Sequence, residues 1–291
     1  MNRNEGRMGS TEEIFLEDDG VAPAAIAPEE TSSTAKFSWS TPTETVTLPS
    51  QGVFYPPQHP LHGREEIEIR YMTAKEEDIL TDRALLKNGT AIDRALQNLI
   101  TDKNIKVNDM LVGDKNAVIV AARITGYGAE YDTRVTCPAC AEVDDFSFDL
   151  SDVKAINTSE AIEELGITLT NRSTFTITLP FSKVEVECRL LTGNDEVKIF
   201  KESQRRQKKK MPSSMLTDQL KEVIISVNGD TDLISRTTFV RQMPAKDSRY
   251  LRTTLSKVTP NLDMTHTFEC ASCGHTADME VPLTTDFFWP K

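Results

Sequence analysis

Positive charge is what this chain lacks most. Its 291 residues carry 33 Lys and Arg against 45 Asp and Glu, a formal net charge of −12. Phosphate contacts need cationic density, so the balance argues against nucleic-acid binding and against adhesion to an anionic membrane. Aromatics make up only 7%, too few for a rich base-stacking surface. No apolar run approaches the ~20 residues of a spanning helix, so no membrane insertion is expected. The opening stretch MNRNEGRMGSTEEIF has no apolar segment behind its basic residues and is not expected to act as a secretion signal. Folding in a reducing cytosol follows, and the five cysteines are expected as thiols or metal ligands before disulfides. Histidine is scarce too. His59 and His62 share a Pro-rich loop, and His266 and His275 flank one CxxC. No Walker loop or dinucleotide fingerprint occurs. With no acid, base and nucleophile set in view, no catalytic residue is assigned and the chain reads as a non-enzyme.

What is present suits a folded core: hydrophobic residues are 38% and charged residues 27%. Residues 1–45 differ from the rest. Through Ala35 they hold eight acids against Arg3 and Arg7, and the run VAPAAIAPEETSSTA is small and proline-bearing. Such composition buries too little surface to offset chain entropy, so a disordered or extended arm is expected. The arm is either inert or orders on a partner through Ile14, Phe15 and Leu16.

From Thr45 onward the sequence repeats itself. TVTLP at Thr45 returns as TITLP at Thr176, and EIEIR at Glu66 returns as EVECR at Glu185. Asp114, Cys137, Cys140 and Leu150 return as Asp247, Cys270, Cys273 and Leu283, all at an offset of 133. Each copy reads as an alternating strand, helices, and two strands around a CxxC. Thr73 with Glu76, and Thr192 with Asp195, offer capping boxes at the first helix. The second helix is expected over Ala91–Ile100 or Met215–Val227, and the third after Asp114 or Asp247, each aspartate acting as a cap. The expected fold is α+β, an internal duplication of a strand–helices–strand-knuckle-strand unit. Residues 46–150 form the first repeat, 151–166 a helical linker, 167–283 the second repeat and 284–291 an aromatic tail.

Cys137-Pro138-Ala139-Cys140 and Cys270-Ala271-Ser272-Cys273 carry the sharpest chemistry. Two residues between thiolates let both sulfurs reach one ion from a tight turn, and two such turns complete a tetrahedral S4 set suited to zinc. A redox CxxC usually opens a helix and stands alone, whereas these lie between strands as a pair. A zinc-ribbon-like structural Zn(Cys)4 site joining the halves is therefore expected. Cys188 has no partner and reads as a small buried hydrophobe.

Two surface features stay open. The run Arg205, Arg206, Lys208, Lys209 and Lys210 is either an exposed loop or frayed helix, or a dock for an acidic partner. Phe287, Phe288 and Trp289 end the chain. They either pack on its own helical layer or anchor in a partner's pocket.

TLPSQGVFYP, EIEIRYMTAKEEDIL, and the spacing D-x6-AARITGYG-x2-Y ahead of CPAC resemble the baseplate hub subunit family of T-even-type contractile-tailed bacteriophages; CASCG and DFFWP resemble the ends of such proteins. The resemblance covers residues 45–150 closely and 167–290 more loosely. It implies a structural hub subunit, or an assembly factor for the hub and tape measure protein, acting by protein–protein contact. The partners it implies are hub and tail proteins, in the host cytoplasm during assembly and then in the virion tail baseplate. The alternative is a zinc-ribbon nucleic-acid-binding regulator, against which the charge balance stands.

Overall fold

A computed structural model of the chain describes residues 40–156, 158–170, 173–281 and 285–288. Ile14, Phe15, Leu16 and Trp289 lie outside the described residues. Alternation builds the first hairpin. Strand β1 (Thr43–Thr47) pairs antiparallel with β2 (Glu66–Arg70), Val46 opposite Ile67. Val46, Ile67 and Ile69 turn inward while Glu66 and Glu68 face water. The strand starts at Thr43, inside the stretch expected as arm.

Helix α1 (Ala74–Thr81) opens on the expected capping box, and α2 (Arg83–Asn88) restarts after Asp82, whose carboxylate accepts the Ala84 and Leu85 amides. Helix α3 (Ala91–Leu99) buries Ala95, Leu96 and Leu99, and Ile100 bridges back to Ile69 of β2. Helix α4 (Val112–Tyr127) is buried along most of its length, as a helix apolar on several sides must be. The hairpin β3 (Glu130–Thr136) and β4 (Val143–Asp149) carries the first CxxC at its tip. Then come β5 (Lys154–Ala155), α5 (Ser159–Glu164) and β6 (Thr168–Leu169), the helix stopping just before Gly166 as expected.

The second series opens with β7 (Phe175–Thr178) and β8 (Glu185–Cys188), followed by α6 (Gly193–Lys208), α7 (Met215–Val223) and β9 (Ile224–Val227). Strands β6, β7, β8 and β9 lie side by side, all antiparallel. Helices α8 (Leu233–Gln242) and α9 (Ala245–Val258), short β10 (Leu262–Asp263), and the hairpin β11 (Thr265–Glu269) and β12 (Thr276–Glu280) follow. Two expectations change here. Helix α7 ends at Val223, because Ile224-Ile225-Ser226-Val227, three of them β-branched, extends along β8 instead. The basic run rides largely on the end of α6, where cations suit the helix dipole.

Both series use the same local clamps. Arg70 grips Glu76, and Arg189 grips Asp195, each through both terminal guanidinium nitrogens. Those carboxylates also accept the amide and hydroxyl of Thr73 and of Thr192. Cys188 pairs with Ile224 as Ile69 does with Ile100, and it is buried, as expected of an unpartnered cysteine there. The expected caps Asp114 and Asp247 do something else. They sit one turn inside α4 and α9, fully buried. Asp114 accepts the Ser50 amide and hydroxyl and the Tyr55 hydroxyl (2.9, 2.6 and 2.7 Å). Asp247 accepts the Phe181 and Ser182 amides, both at 2.9 Å. Each ties its helix to the loop after the first strand.

The two series share one core. Leu111 bridges Thr192, and the Val112 and Gly193 amides donate to Leu191 and Met110 carbonyls. At Gly113 a Cβ would lie 1.9 Å from the Pro260 carbonyl oxygen, so no other residue fits this contact.

Candidate metal centre

The hairpin tips that carry the cysteines are built alike. The Cys137 amide donates to the Glu142 carbonyl (2.8 Å) and the Ala141 amide to the Cys137 carbonyl (2.9 Å). The Cys270 amide donates to the His275 carbonyl and the Gly274 amide to the Cys270 carbonyl, both at 2.9 Å. Closing each turn requires a left-handed residue. Gly274 supplies it at φ 66°, and Ala141 adopts it at φ 59° in spite of its methyl group.

Cys137 and Cys270 are buried; Cys140 and Cys273 are exposed. All four sulfurs lie within 4.8 Å of one another. The sulfurs of Cys137 and Cys273 are 3.8 Å apart, and those of Cys140 and Cys270 are 3.7 Å apart. A tetrahedron with Zn–S bonds of about 2.3 Å has edges of about 3.8 Å. The donor set therefore fits one tetrahedral ion of zinc size, with two ligands from each knuckle. Amide donation, foremost that of Cys140, holds the Cys137 thiol down to about 7, while contact among the sulfurs and burial leave those of Cys140, Cys270 and Cys273 raised. Asp144 of β4, whose carboxylate stands 3.6 Å from the Cys270 sulfur, was not marked by sequence spacing.

Packing below the knuckles is aromatic. Phe146 meets Phe268 edge-on at 5.5 Å, and Phe148 meets the His266 ring at 5.2 Å. His266 thus belongs to the packing between the hairpins and does not join the four sulfurs. His59 stacks on Tyr55 at 4.4 Å, and burial holds its imidazole below its usual value. His62 bonds the Tyr55 carbonyl at 2.6 Å.

The other residues singled out from sequence fall elsewhere. Phe287 and Phe288, in a 3-10 turn at Thr285–Phe288, are 0% and 1% exposed. Phe287 lies 5.1 Å from the Tyr131 ring, and its carbonyl accepts from Arg123 Nε at 2.9 Å. Phe287 and Phe288 thus pack within this chain's own core. In the basic run, Arg205 and Arg206 pair with Glu202, and Arg206 also approaches Asp218 at 3.6 Å. Lys208, Lys209 and Lys210 are exposed and form no ion pair among the described residues.

Among the described residues, no helix is long and apolar enough to cross a membrane. No curated protein and no solved structure matches the chain. A family model described as T4 bacteriophage base plate protein matches residues 41–289. The matched stretch takes in both series and both knuckles, including the second, which the sequence resemblance covers loosely. The chain belongs to the T4-type bacteriophage base plate protein family.

Proposed function

We propose that this base plate protein is a hub subunit, or an assembly factor for the hub and tape measure protein, and that it works by protein–protein contact and not by catalysis. The observation that carries this reading is the extent of the family match, residues 41–289, which spans nearly all of the described residues. Its buried carboxylates support the same view. Glu76, Asp114, Asp195 and Asp247 are all committed to hydrogen bonds that hold helices to loops and strands. The protein folds in the host cytoplasm and joins the tail baseplate.

The molecule is built as two homologous halves clamped by one zinc on Cys137, Cys140, Cys270 and Cys273. Support comes from the offset of 133, the matched Arg–carboxylate clamps and the matched knuckle turns. Zinc here is structural, because four thiolates leave no open position for a substrate.

Deleting the gene from its phage tests the role. Tails should fail to complete, and supplying the chain in trans should restore them. Complete, contractile tails without the protein would end the proposal. Mass spectrometry of purified particles then separates the two forms of the role: a hub subunit remains in the particle and an assembly factor does not. Elemental analysis should find one zinc per freshly purified chain.

A further inference from the structure

Helices of both series leave between them a cleft of about 1220 Å³. Ile92 and Ile119 line it from the first series, and Phe200, Met215, Leu216 and Leu255 from the second. Phe200, Met215 and Leu216 are large apolar residues left 51, 50 and 39% exposed. Exposed apolar surface gathered at a cleft marks an interaction site more often than scattered hydrophobics do. The volume exceeds the ~300–1,000 Å³ usual for small-molecule pockets.

The charged lining of the cleft is balanced, Lys115, Arg189 and Arg252 against Asp93, Glu196 and Glu280, and charge of the sign the chain lacks gathers beside it at the end of α6. Residues 193–223 hold eight cations against five carboxylates in a protein of net charge −12. Arg206 stands 3.6 Å from Asp218, which fixes the basic end of α6 beside the first turns of α7, where Met215 and Leu216 lie. Lys208, Lys209 and Lys210 follow within a turn, exposed. Two carboxylates lining the cleft, Asp93 and Glu196, are held by Lys115 at 2.8 and 3.4 Å; a third, Glu280, belongs to β12.

We propose that this cleft docks an acidic amphipathic helix from a partner protein. Apolar anchors on one helical face would enter between Ile119 and Leu216, and acidic residues beside them would meet the lysines at the end of α6. A second copy fits less well, since face-to-face docking would bring two basic borders together. The proposal deepens the assembly role argued above by giving the partner's chemistry.

The test uses the full chain and a fluorescein-labelled peptide of about 16 residues, long enough for helix formation. The peptide has Leu and Phe at i, i+3, i+4 and i+7 and Glu elsewhere. Controls are a scrambled version and one with Lys for every Glu. Fluorescence anisotropy should show binding by the acidic peptide that weakens as salt rises from about 50 to 200 mM. Affinity should fall about tenfold or more in Phe200→Glu/Leu216→Glu and in Lys208→Glu/Lys209→Glu/Lys210→Glu, a loss on the scale of buried anchors and desolvated charge pairs. All five changes are at exposed positions, and unchanged zinc content and melting would confirm intact folding. Equal binding of the control peptides, or wild-type binding by both variants, would overturn the proposal. So would a dimer of the full chain that the Phe200→Glu/Leu216→Glu variant abolishes, which would assign the cleft to a second copy. The assembly role fails by a different result, since tails that complete without the gene leave peptide binding untouched.

Discussion

Asp114 and Asp247 hold matched places in the first turns of α4 and α9, yet their carboxyls are shifted in opposite directions from the ordinary value. Burial beneath Ser50 and Tyr55 pushes Asp114 up, and the three donors aimed at it only partly offset that. Asp247 also feels burial, but the Phe181 and Ser182 amides outweigh it and hold its carboxyl below the usual range. The difference lies in the loops. The first series has the longer loop, with an aromatic lid of Tyr55 stacked on His59. The second has a tight turn whose backbone does the same job with two amides. One structural need, tying a long helix to the end of a strand, is met by side chains in one place and by main chain in the other.

The largest effect should come where the two series are joined. Cys270→Ser, or removal of the proposed zinc by a strong chelator, should lower the melting temperature by on the order of 10 °C or more, since a structural zinc contributes heavily to folding. Calorimetry showing an unchanged transition would mean that the hairpins hold together by aromatic packing alone. Next comes a place where the correspondence breaks. The offset of 133 sets Phe287 and Phe288 against Lys154 and Ala155, so the aromatic turn has no counterpart in the first series. Phe287→Ala should cost about 3–5 kcal/mol by urea unfolding, as for a fully buried ring.

The aspartates themselves sharpen the comparison. Asp114→Ala strands three buried donors and should cost about 2–4 kcal/mol, and Asp247→Ala, stranding two amides, about 1–2 kcal/mol. Their asparagine variants should respond to pH with opposite signs. Asp247, depressed in the fold, contributes stability that is present above its unfolded value and lost as pH falls through its folded one. Asp114, raised in the fold, contributes most at low pH and loses that contribution as pH rises through its folded value. The penalty of Asp247→Asn should thus grow from pH 3 to pH 8 while that of Asp114→Asn shrinks. Parallel slopes would show that the two sites are electrostatically alike. The smallest effect concerns the knuckle turns. Gly274→Ala should lose about 1 kcal/mol and Ala141→Gly gain up to about 1 kcal/mol, because both positions are left-handed and nothing crowds Gly274.

Much of this was readable in the sequence where a feature depends on local spacing. Two residues between cysteines dictate a turn with both sulfurs on one side. The repeated alternation around Ile69 and Cys188 dictates strands with one buried face. The Thr–Glu and Thr–Asp boxes fix helix starts. Features that depend on distant partners were not readable. Asp114 looks like a cap because the donors to its carboxylate lie 64 and 59 residues away, at Ser50 and Tyr55. Ile224–Val227 continues the apolar pattern of α7, and only the neighbouring edge of β8 turns it into a strand. Helix α8 has little amphipathic pattern to announce it, with Val240 its buried residue and Leu233 and Ile234 exposed. The cleft at α6 and α7 was likewise hidden, since its walls come from both series.

The two knuckles also impose an order in time. Cys270 follows Cys137 by 133 residues, and at ~5–20 residues per second a ribosome needs roughly 7–27 s to cover that distance. During that interval the nascent chain offers two thiols, half of a coordination shell, to any metal it meets. The proposed tetrahedral site could close only after the second hairpin has emerged and docked, which would make metal capture a late checkpoint that an unfinished chain cannot pass.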